Sequence, residues 1–473
     1  MSDLDVLFVH PVVMRKGRPI HVIMTSGLFS LTHCLQEEGF ETEIINIGVE
    51  KLIDPNFDLG KYIEKSNPKV VGIDLHWYTH SYVAIEAART VKEHSNALVV
   101  LGGFTASYFA EEIMKEFPFI DVILRGEAEV PLVELVKKYT MNQDFADISN
   151  STLRSYSKIY HNRISYVPKD IDNLPNCGLD FLRNWDKYLS VKLMWNPSPY
   201  AYLDSEMPKS FDLCISRGCP YQCSYCGGGR EAQRIISGRK NVSFKSPKRV
   251  LEEVMLLKEK GIEDIRMPYL GYPKYYLRLF SSIKRENLGL SCRLSFWNMP
   301  PKDVVREVNE AFWRFSVDIS PDSGSENVRF FNKGPWYSND QLIKMVKFLE
   351  TEDSPVDLYF TVGLPGESLS DFDETLNLAV RLIVNNSNIA NVYSFGLTAE
   401  LGAPIFREPE KYDIVLSRRN FLDFYNFWKR VEMDQKCRDL LGLKRRDLSQ
   451  DSIIAMNKKL HSRIKETLKK SVS

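Results

Sequence analysis

Three cysteines in one short turn are the residues of this chain best suited to chemistry. Cys219, Cys223 and Cys226 stand at C-x₃-C-x₂-C spacing. Because cysteine thiolates are the ligands of iron–sulfur clusters, three of them can hold three irons of a [4Fe–4S] cube. The fourth iron is then left without a cysteine from this turn, so it can bind a small molecule and pass it an electron. Gly227 and Gly228 follow directly, and residues without a side chain let the backbone approach a ligand closely.

A structural zinc site is the alternative interpretation of the same turn, with Cys214 as the fourth ligand. Zinc sites usually pair two C-x₂-C knuckles, and no second knuckle or histidine pair follows here. Cys214 also lies in a strand-like run, where a buried cysteine behaves as a small core residue. The spacing therefore favours a cluster over a zinc ion.

The cysteine spacing resembles the cluster motif of the radical S-adenosylmethionine (radical SAM) superfamily, and the flanking sequence agrees. Residues 211–216 read as a strand that enters the turn, and Tyr225 supplies the aromatic residue that the family usually has before its last cysteine. The resemblance implies that a reduced cluster on Cys219, Cys223 and Cys226 binds S-adenosylmethionine at its open iron.

Two later turns resemble other parts of the same superfamily. Asp322 and Ser323 belong to a segment similar to the family's Glu-Ser-Gly-Ser turn, which contacts the ribose and amino-acid parts of S-adenosylmethionine, although Asp stands here where Glu is commoner. Gly363 and Pro365 belong to a segment similar to the Gly-x-Pro-Gly-Glu turn near the adenine. The family's Gly-Gly-Glu segment is not visible. The resemblance implies S-adenosylmethionine contacts from Tyr225, Gly227, Gly228, Asp322, Ser323, Gly363 and Pro365.

The segment around these motifs alternates strand-like and helix-like patterns from residue 206 to residue 410. Six strand-like runs in this alternation predict a partial (β/α)₆ barrel of the TIM type, the radical SAM core domain that the resemblance implies. In such barrels the chemistry lies at the C-terminal ends of the strands, which is where the cysteines and both turns stand. Residues 411–473 are predicted to form a helical C-terminal region, since Leu460 and Ile464 recur at helical spacing.

The N-terminal part of the chain predicts a second α/β domain over residues 1–145. Five strand-like runs alternate with helical patterns, which indicates a doubly wound, Rossmann-like parallel sheet. Ligands of such sheets lie beyond the carboxyl ends of the strands. Unusual residues follow those ends: His10 after the first run, His76 and Trp77 after the third, and Gly102 and Gly103 after the fourth. Residues 146–205 are predicted to be an irregular linker.

This domain resembles the cobalamin-binding domain that precedes many radical SAM domains. The D-x-H-x-x-G motif that coordinates cobalt in other cobalamin proteins is missing, so we expect a cobalamin without that histidine ligand, with His76 or Trp77 under the corrin. A plain nucleotide-binding or regulatory domain is the alternative, although the first turn lacks G-x-G-x-x-G. The resemblance implies cobalamin contacts from His76, Trp77, Gly102, Gly103, Thr105, Gly126 and Glu127.

Composition limits the class of protein. Lys plus Arg and Asp plus Glu both number 62, so the net charge is zero and argues against a nucleic-acid protein driven by bulk charge. No apolar run approaches the roughly 20 residues that a membrane span needs. The acidic start has no signal-peptide pattern, and eight cysteines in 473 residues do not suggest a disulfide scaffold. We therefore expect a cytoplasmic, reduced protein.

The resemblance implies a cobalamin (B12)-dependent radical SAM enzyme with three cofactors: a [4Fe–4S] cluster, S-adenosylmethionine and cobalamin. Reductive cleavage of S-adenosylmethionine would yield a 5′-deoxyadenosyl radical, and the predicted outcome is C-methylation of an unactivated carbon in a small-molecule or peptide substrate. A low-potential flavodoxin or ferredoxin would supply the electron. Two alternatives stay open: a radical cyclase or rearrangement enzyme without methyl transfer, and a non-catalytic sensor that binds cobalamin or metal.

Overall fold

The computed structural model of the protein describes residues 4–471 apart from residues 21, 156–157, 192–208, 436, 438 and 440. Its strands are β1 Val6–His10, β2 Val13–Arg15, β3 Arg18–Ile20, β4 Thr42–Asn46, β5 Val70–Asp74, β6 Leu98–Gly102, β7 Val122–Leu124, β8 Ser151–Ser155, β9 Lys158–His161, β10 Ser210–Asp212, β11 Ser216–Arg217, β12 Ser243–Phe244, β13 Asp264–Tyr269, β14 Ser291–Phe296, β15 Arg314–Asp322, β16 Val356–Val362, β17 Ile389–Gly396, β18 Ile414–Leu416 and β19 Leu443–Arg445.

The helices follow most of these strands in the chain, as an α/β fold requires. They are α1 Gly27–Glu37, α2 Ile47–Ile53, α3 Leu59–Ser66, α4 Ser81–His94, α5 Phe104–Tyr108, α6 Ala110–Glu116, α7 Glu129–Thr140, α8 Trp185–Val191, α9 Arg230–Ser237, α10 Pro247–Glu259, α11 Pro273–Glu286, α12 Lys302–Ala311, α13 Glu326–Lys333, α14 Asn339–Thr351, α15 Leu369–Asn385, α16 Pro404–Arg407, α17 Phe421–Glu432 and α18 Gln450–Ser471.

The chain divides into two compact units. The first unit comprises Met1–Lys209, Gln233–Ser243 and Arg418–Arg438, and the second comprises Ser210–Ala232, Phe244–Ser417 and Asp439–Ser473. Each unit is built on its own sheet.

The sheet of the first unit has the strand order β4-β1-β5-β6-β7-β8-β9. Its first five strands are parallel, and β1 and β5 are buried along their whole length. Continuous burial is expected of parallel strands that helices cover on both faces. The strand order reverses between β1 and β5, which makes the carboxyl ends of these two strands the topological switch point, the usual place for a ligand. The predicted doubly wound sheet is confirmed.

The predicted linker at 146–205 differs from the structure, because β8 and β9 extend the first sheet as two antiparallel strands. Their sequence lacks apolar alternation, since Ser151 and Thr152 are buried polar residues. Both hydroxyls have partners: Ser151 donates to the Ile148 carbonyl at 2.6 Å, and Thr152 lies 2.9 Å from a ring nitrogen of His161. Polar strand residues satisfied in this way give no periodic hydrophobic signal. The rest of the predicted linker, from residue 192, lies outside the described residues.

The sheet of the second unit is wholly parallel and has the strand order β10-β13-β14-β15-β16-β17. Side chains of β14 alternate in burial, so that Cys292, Leu294 and Phe296 are buried while Arg293 and Ser295 are partly accessible. Such alternation is expected of a barrel strand with helices on one side and a lumen on the other. The predicted partial six-stranded barrel is confirmed.

The C-terminal region departs from the prediction of a purely helical segment over residues 411–473. Strands β18 and β19 pair there as an antiparallel hairpin. Helix α17 belongs to the first unit. Its Phe421 is buried, and the hydroxyl of its Tyr425 donates to Glu86 of α4 at 2.8 Å. Helix α18 belongs to the second unit and packs against α15, with Leu460 and Ile464 buried as their helical spacing predicts.

Candidate active site and cofactor-binding residues

The three predicted cluster ligands lie in one loop between β11 and α9. Cys219, Cys223 and Cys226 are each partly exposed, and the backbone N–H of Gly228 points at the sulfur of Cys226 from 3.4 Å. Such an N–H can stabilise a thiolate. A loop that carries three partly exposed cysteines on one short stretch of chain is suited to hold a polynuclear centre.

Burial keeps the three thiols protonated while no metal is bound. It raises the pKa of Cys219 to about 11 and that of Cys223 to about 12, and it also raises the pKa of Cys226. In each case a neighbouring cysteine or carboxylate raises the pKa further, because a second negative charge nearby disfavours ionisation of the thiol. Thiols with this environment are ligands that release protons when a metal binds.

The donor set fits a cube better than a single ion. Among the residues that the structure describes, no three His, Cys, Asp or Glu side chains converge on a site for one metal ion. A [4Fe–4S] cube does not need such convergence, because each thiolate binds a different iron. Cys214, the candidate fourth zinc ligand, is a partly exposed residue outside the strands whose sulfur faces the Ser216 carbonyl, so the predicted core position is wrong.

Asn332 connects the cysteine loop to the Gly-Leu-Pro-Gly turn. Ser224, which lies between two of the cysteines, donates its hydroxyl to Oδ1 of Asn332 and its backbone N–H to the Asn332 carbonyl at 2.7 Å. The amide nitrogen of Asn332 donates to the Pro365 carbonyl at 2.8 Å. One buried side chain thereby fixes two of the segments that sequence reasoning assigned to S-adenosylmethionine.

Asp322 is held from two sides inside the unit. Nζ of Lys333 donates to one carboxylate oxygen at 2.7 Å, and the Thr361 hydroxyl donates to the other at 3.2 Å. The phenol of Tyr225 faces the same carboxylate, and burial together with that negative charge raises the pKa of the phenol well above its ordinary value. Asp322 adopts a left-handed backbone conformation with φ of 63°, which Asp tolerates better than most residues.

Ser323 and the glycine after it pack against helix α15. The Ser323 hydroxyl lies 3.2 Å from the Thr375 hydroxyl, which also accepts a bond from the Gly324 N–H at 2.8 Å. A Cβ on Gly324 would meet the Thr375 backbone at 2.4 Å, so only glycine fits there. Arg329 completes the turn by donating to the Pro321 and Ser323 carbonyls at 3.0 and 2.6 Å.

Gly363 begins the last predicted turn with φ of 88°, and a Cβ there would lie 2.9 Å from Ile453 of α18. Its N–H donates to Oε2 of Glu367 at 2.6 Å. The other carboxylate oxygen of Glu367 is buried without a hydrogen-bond partner among the described residues. Burial raises the pKa of Glu367 to about 7 although the Gly363 N–H and Arg445 oppose the rise.

The two glycines after the cysteines have different surroundings. A Cβ on Gly227 would lie 2.5 Å from the Leu401 carbonyl oxygen, so this glycine is required by packing. A Cβ on Gly228 would meet nothing closer than the Cys226 sulfur at 3.8 Å. Only Gly228 therefore leaves room for a ligand beside the loop.

The barrel lumen carries a charged group that sequence reasoning did not single out. Arg293 lies between two carboxylates, at 3.1 Å from Asp318 and 2.6 Å from Asp357, and Ser295 donates to Asp318 at 3.1 Å. Burial raises the pKa of Asp318, and Arg293 opposes that rise. These residues come from three adjacent strands, so only the barrel brings them together.

In the first unit, the two glycines of the predicted Gly-Gly turn have different surroundings. Gly103 has φ of 103°, and a Cβ on it would lie 2.6 Å from the His76 Cα. A Cβ on Gly102 would meet no atom closer than 3.9 Å, which leaves space at the end of β6. The Thr105 hydroxyl donates to the His76 carbonyl at 2.8 Å, so it positions the backbone after β5. Burial lowers the pKa of His76, whose ring packs against those of Trp77 and Phe104.

His10 and Asp74 meet at the switch point between β1 and β5. Nδ1 of His10 lies 2.8 Å from Oδ2 of Asp74, which also accepts a bond from the Thr25 hydroxyl at 3.1 Å. Burial raises the pKa of Asp74, but the hydrogen bond and charge of His10 outweigh it and the pKa lies below its ordinary value. Nε2 of His10 is buried and has no hydrogen-bond partner among the described residues.

These observations fit a cobalamin at this end of the sheet. An unpaired buried nitrogen lies at the switch point, and the open Gly102 lies two strands away along the same edge. The sequence placed His10 after the first strand without a role, since its partner Asp74 is 64 residues distant. Pairs of this kind give no local signal.

Glu127 is engaged by an ion pair rather than open to a ligand. Arg239 donates to its two carboxylate oxygens at 2.5 and 2.8 Å, and both side chains are mostly buried. Gly126 has φ of 70°, and a Cβ on it would lie 2.8 Å from the Ser237 Cα. Gly126 and Glu127 therefore help to pack residues 233–243 within the first unit, and their contact with cobalamin stays a prediction.

Two family models match the chain. The model of the radical SAM superfamily matches residues 213–379, and the model of the B12 binding domain matches residues 21–136.

This chain carries a B12 binding domain and a radical SAM domain.

Relatives of this radical SAM protein agree with the family models. An uncharacterized methyltransferase of Pyrococcus horikoshii is 26% identical over 403 residues, which cover 81% of this chain and 80% of that protein. The anaerobic magnesium-protoporphyrin IX monomethyl ester cyclase of Cereibacter sphaeroides is 26% identical over 316 residues, which cover 63% of this chain and 47% of that protein.

A solved structure shows the same fold. The radical S-adenosylmethionine methyltransferase TsrM from Kitasatospora setae, with cobalamin and a [4Fe–4S] cluster bound, is similar at a TM-score of 0.71 and 15% identity. The match covers 98% of this chain and 91% of that one. The two family models confirm the predicted radical SAM enzyme class and the predicted [4Fe–4S] cluster, S-adenosylmethionine and cobalamin. No described helix is both long and apolar enough to cross a membrane.

Proposed function

We propose that this radical SAM protein is a B12-dependent methyltransferase that cleaves S-adenosylmethionine reductively and methylates an unactivated carbon. The proposal rests on the hydrogen bonds by which Asn332 connects the cysteine loop to the turn at Pro365. An enzyme that binds S-adenosylmethionine at a cluster needs both segments fixed relative to each other. A protein that used the cysteines only as a structural staple would not need it.

The chain's own residues are assigned as follows. Cys219, Cys223 and Cys226 would hold the cluster, and Gly228 with Tyr225 would border the bound S-adenosylmethionine. The side chains of Asp322 and Ser323 are bonded to Lys333 and Thr375, so we assign them to shaping the pocket. The backbone of their turn would then contact S-adenosylmethionine. Gly363 and Pro365 would line the adenine, with Glu367 holding the turn.

In the first unit, His10, His76 and Gly102 would face the cobalamin, and Trp77 would lie beside them. Gly103, Thr105 and the Gly126–Glu127 turn would keep that edge of the sheet in shape. When bound, the cluster supplies one electron that cleaves S-adenosylmethionine to a 5′-deoxyadenosyl radical, and cobalamin carries the methyl group. The protein orients these groups and excludes water from them.

The substrate, the electron donor and the location follow from the class of chemistry. We propose a small-molecule or peptide substrate with an unactivated carbon, a low-potential flavodoxin or ferredoxin as reductant, and a cytoplasmic location.

A second candidate is a radical cyclisation without net methyl transfer. The relative from Cereibacter sphaeroides, which is named a cyclase, favours it, although the match covers only 47% of that protein. Methyl transfer is preferred because the relative from Pyrococcus horikoshii matches over most of both chains and is named a methyltransferase.

Anaerobic incubation with S-adenosylmethionine that is labelled in its methyl group tests the proposal. The holoprotein and a reductant should form 5′-deoxyadenosine, and the label should enter a product when a substrate is present. Formation of 5′-deoxyadenosine with an unlabelled product would favour cyclisation. Binding of cobalamin with no 5′-deoxyadenosine would indicate a sensor and overturn the proposal. The variant in which all three loop cysteines are alanine is the control.

A further inference from the structure

Lys333, the last residue of α13, is a cation buried in the second unit. Nζ donates to the Ser320 carbonyl at 2.5 Å and to Oδ2 of Asp322 at 2.7 Å, and the side chain is 9% exposed. Burial alone would lower the pKa of Lys333, but the Asp322 carboxylate outweighs burial and raises it. The ammonium is therefore charged at neutral pH, where a neutral residue would have cost less to bury.

The position of this cation is fixed relative to the cysteine loop. Asn332 precedes it in the chain and accepts the backbone N–H of Ser224 at 2.7 Å, and Ser224 follows Cys223. The side chain of Lys333 is thus bonded to Asp322, and its backbone neighbour Asn332 is bonded to the cysteine loop. The positive charge of Lys333 acts to lower the pKa of the Cys223 thiol against the larger opposing effect of burial.

A cluster on these cysteines would be sensitive to a charge held beside their loop. A cube with three thiolates is anionic and gains a further negative charge on reduction. Net charge and solvent exposure set the reduction potential of such clusters, and buried charges act over several ångströms because the protein screens them weakly.

We propose that Lys333 is a positioning residue whose ammonium raises the reduction potential of the cluster on Cys219, Cys223 and Cys226, while Asp322 opposes it. The inference rests on the proposed function, because it requires a cluster on these cysteines. If Lys333 served only to hold the turn, its loss would affect the fold. Removing the charges of Lys333 and Asp322 would then not shift the reduction potential in opposite directions.

An EPR-monitored redox titration of the reconstituted full chain, without S-adenosylmethionine, tests this. Lys333→Met removes the cation, so the midpoint potential should shift to a more negative value. Asp322→Asn removes the anion and should shift it to a more positive value. The double variant should return toward wild type, and Lys333→Arg should stay close to it. Lys284→Met, which removes a surface lysine paired with Glu310, is the control and should not shift the potential.

The outcomes distinguish a failure of the role proposed for Lys333 from a failure of the proposed function. All proteins are compared at matched iron content, so a lost cluster is not mistaken for a changed potential. Unchanged potentials in Lys333→Met and Asp322→Asn, or shifts in the same direction, would overturn the role of Lys333 and leave the proposed function intact. If Lys333→Met holds no cluster, the sign of the shift in Asp322→Asn decides. A wild-type chain that takes up no iron–sulfur cluster would overturn both proposals.

Discussion

Ser224 and Asn332 are hydrogen-bonded through side chain and backbone although 108 residues separate them. Ser224 belongs to the loop of the three cysteines, and Asn332 also donates to the Pro365 carbonyl. The cysteine loop and the turn after β16 are thereby held together by one asparagine. A buried polar residue therefore joins two segments of the candidate active site.

Asn332→Ala should weaken both the fold and the site. The substitution leaves the Ser224 hydroxyl and the Pro365 carbonyl without their partner, which should lower the free energy of unfolding by about 1–3 kcal/mol. Binding of S-adenosylmethionine to the reconstituted protein should weaken as well, measured by equilibrium dialysis.

Asn388→Ala is the matched control for that variant. Its amide nitrogen also donates to two carbonyls, those of Val346 and Ser354, before strand β17 begins. It should cost similar stability and leave the affinity for S-adenosylmethionine unchanged. Equal loss of affinity in both variants would mean that Asn332 acts only through general stability.

Gly102 and Gly103 should respond differently to the same change. Gly103→Ala places a methyl group 2.6 Å from the His76 Cα at a positive φ, so it should lower the free energy of unfolding by more than about 2 kcal/mol. Gly102→Ala has room for the methyl group, so thermal unfolding of the protein without cobalamin should change little.

Cobalamin binding then distinguishes the role of the open position. If the corrin or its tail lies against Gly102, the alanine variant should bind cobalamin more weakly, as followed by its visible absorption. A Gly102→Ala protein with unchanged stability and unchanged cobalamin affinity would place the cofactor elsewhere.

The ion pair between Glu127 and Arg239 should govern the stability of the first unit. Glu127→Gln leaves a mostly buried guanidinium without its carboxylate, so it should cost about 3–5 kcal/mol in chemical denaturation. The double variant Glu127→Gln with Arg239→Met should recover much of that loss. Full stability in the single variant, accompanied by weaker cobalamin binding, would restore Glu127 as a ligand contact.

Glu367 should make stability depend on pH. Its folded pKa of about 7 lies above the ordinary value of 4.5, so the protonated form favours the folded state. That contribution is complete below pH 4.5 and is lost as the pH rises to about 7, a change on the order of 3 kcal/mol. Urea titrations across this range should show Glu367→Gln gaining stability relative to wild type as the pH rises. A constant difference between the two proteins would show that Glu367 titrates normally.

The sequence was sufficient for those features that are local or periodic. Cys219, Cys223 and Cys226 are close in the chain, so their spacing alone predicts a shared ligand. Buried parallel strands give continuous apolar runs, and the two sheets were predicted from them. Neither β8 nor β9 gave such a run, because two of the buried residues of β8, Ser151 and Thr152, are polar and no residue of β9 is buried.

Features that depend on distant residues were not predictable. Asn332 and Lys333 read as ordinary residues at the end of a helix, and only the barrel brings them to the cysteine loop. Arg239, the partner of Glu127, is 112 residues away, so the sequence did not indicate their ion pair. Helix α17 follows the barrel in the chain yet belongs to the first unit, and no pattern within its own sequence indicates that.

The most direct test of the account is the iron content and visible spectrum of the chain purified without oxygen and reconstituted with iron, sulfide and cobalamin. The wild type should hold about four irons and show both iron–sulfur and corrin absorption. The variant with Cys219, Cys223 and Cys226 all changed to Ala should lose the iron and keep the corrin bands. A wild type that binds one zinc ion and no iron, or a triple variant that keeps its full iron content, would show that these cysteines do not hold a [4Fe–4S] cluster.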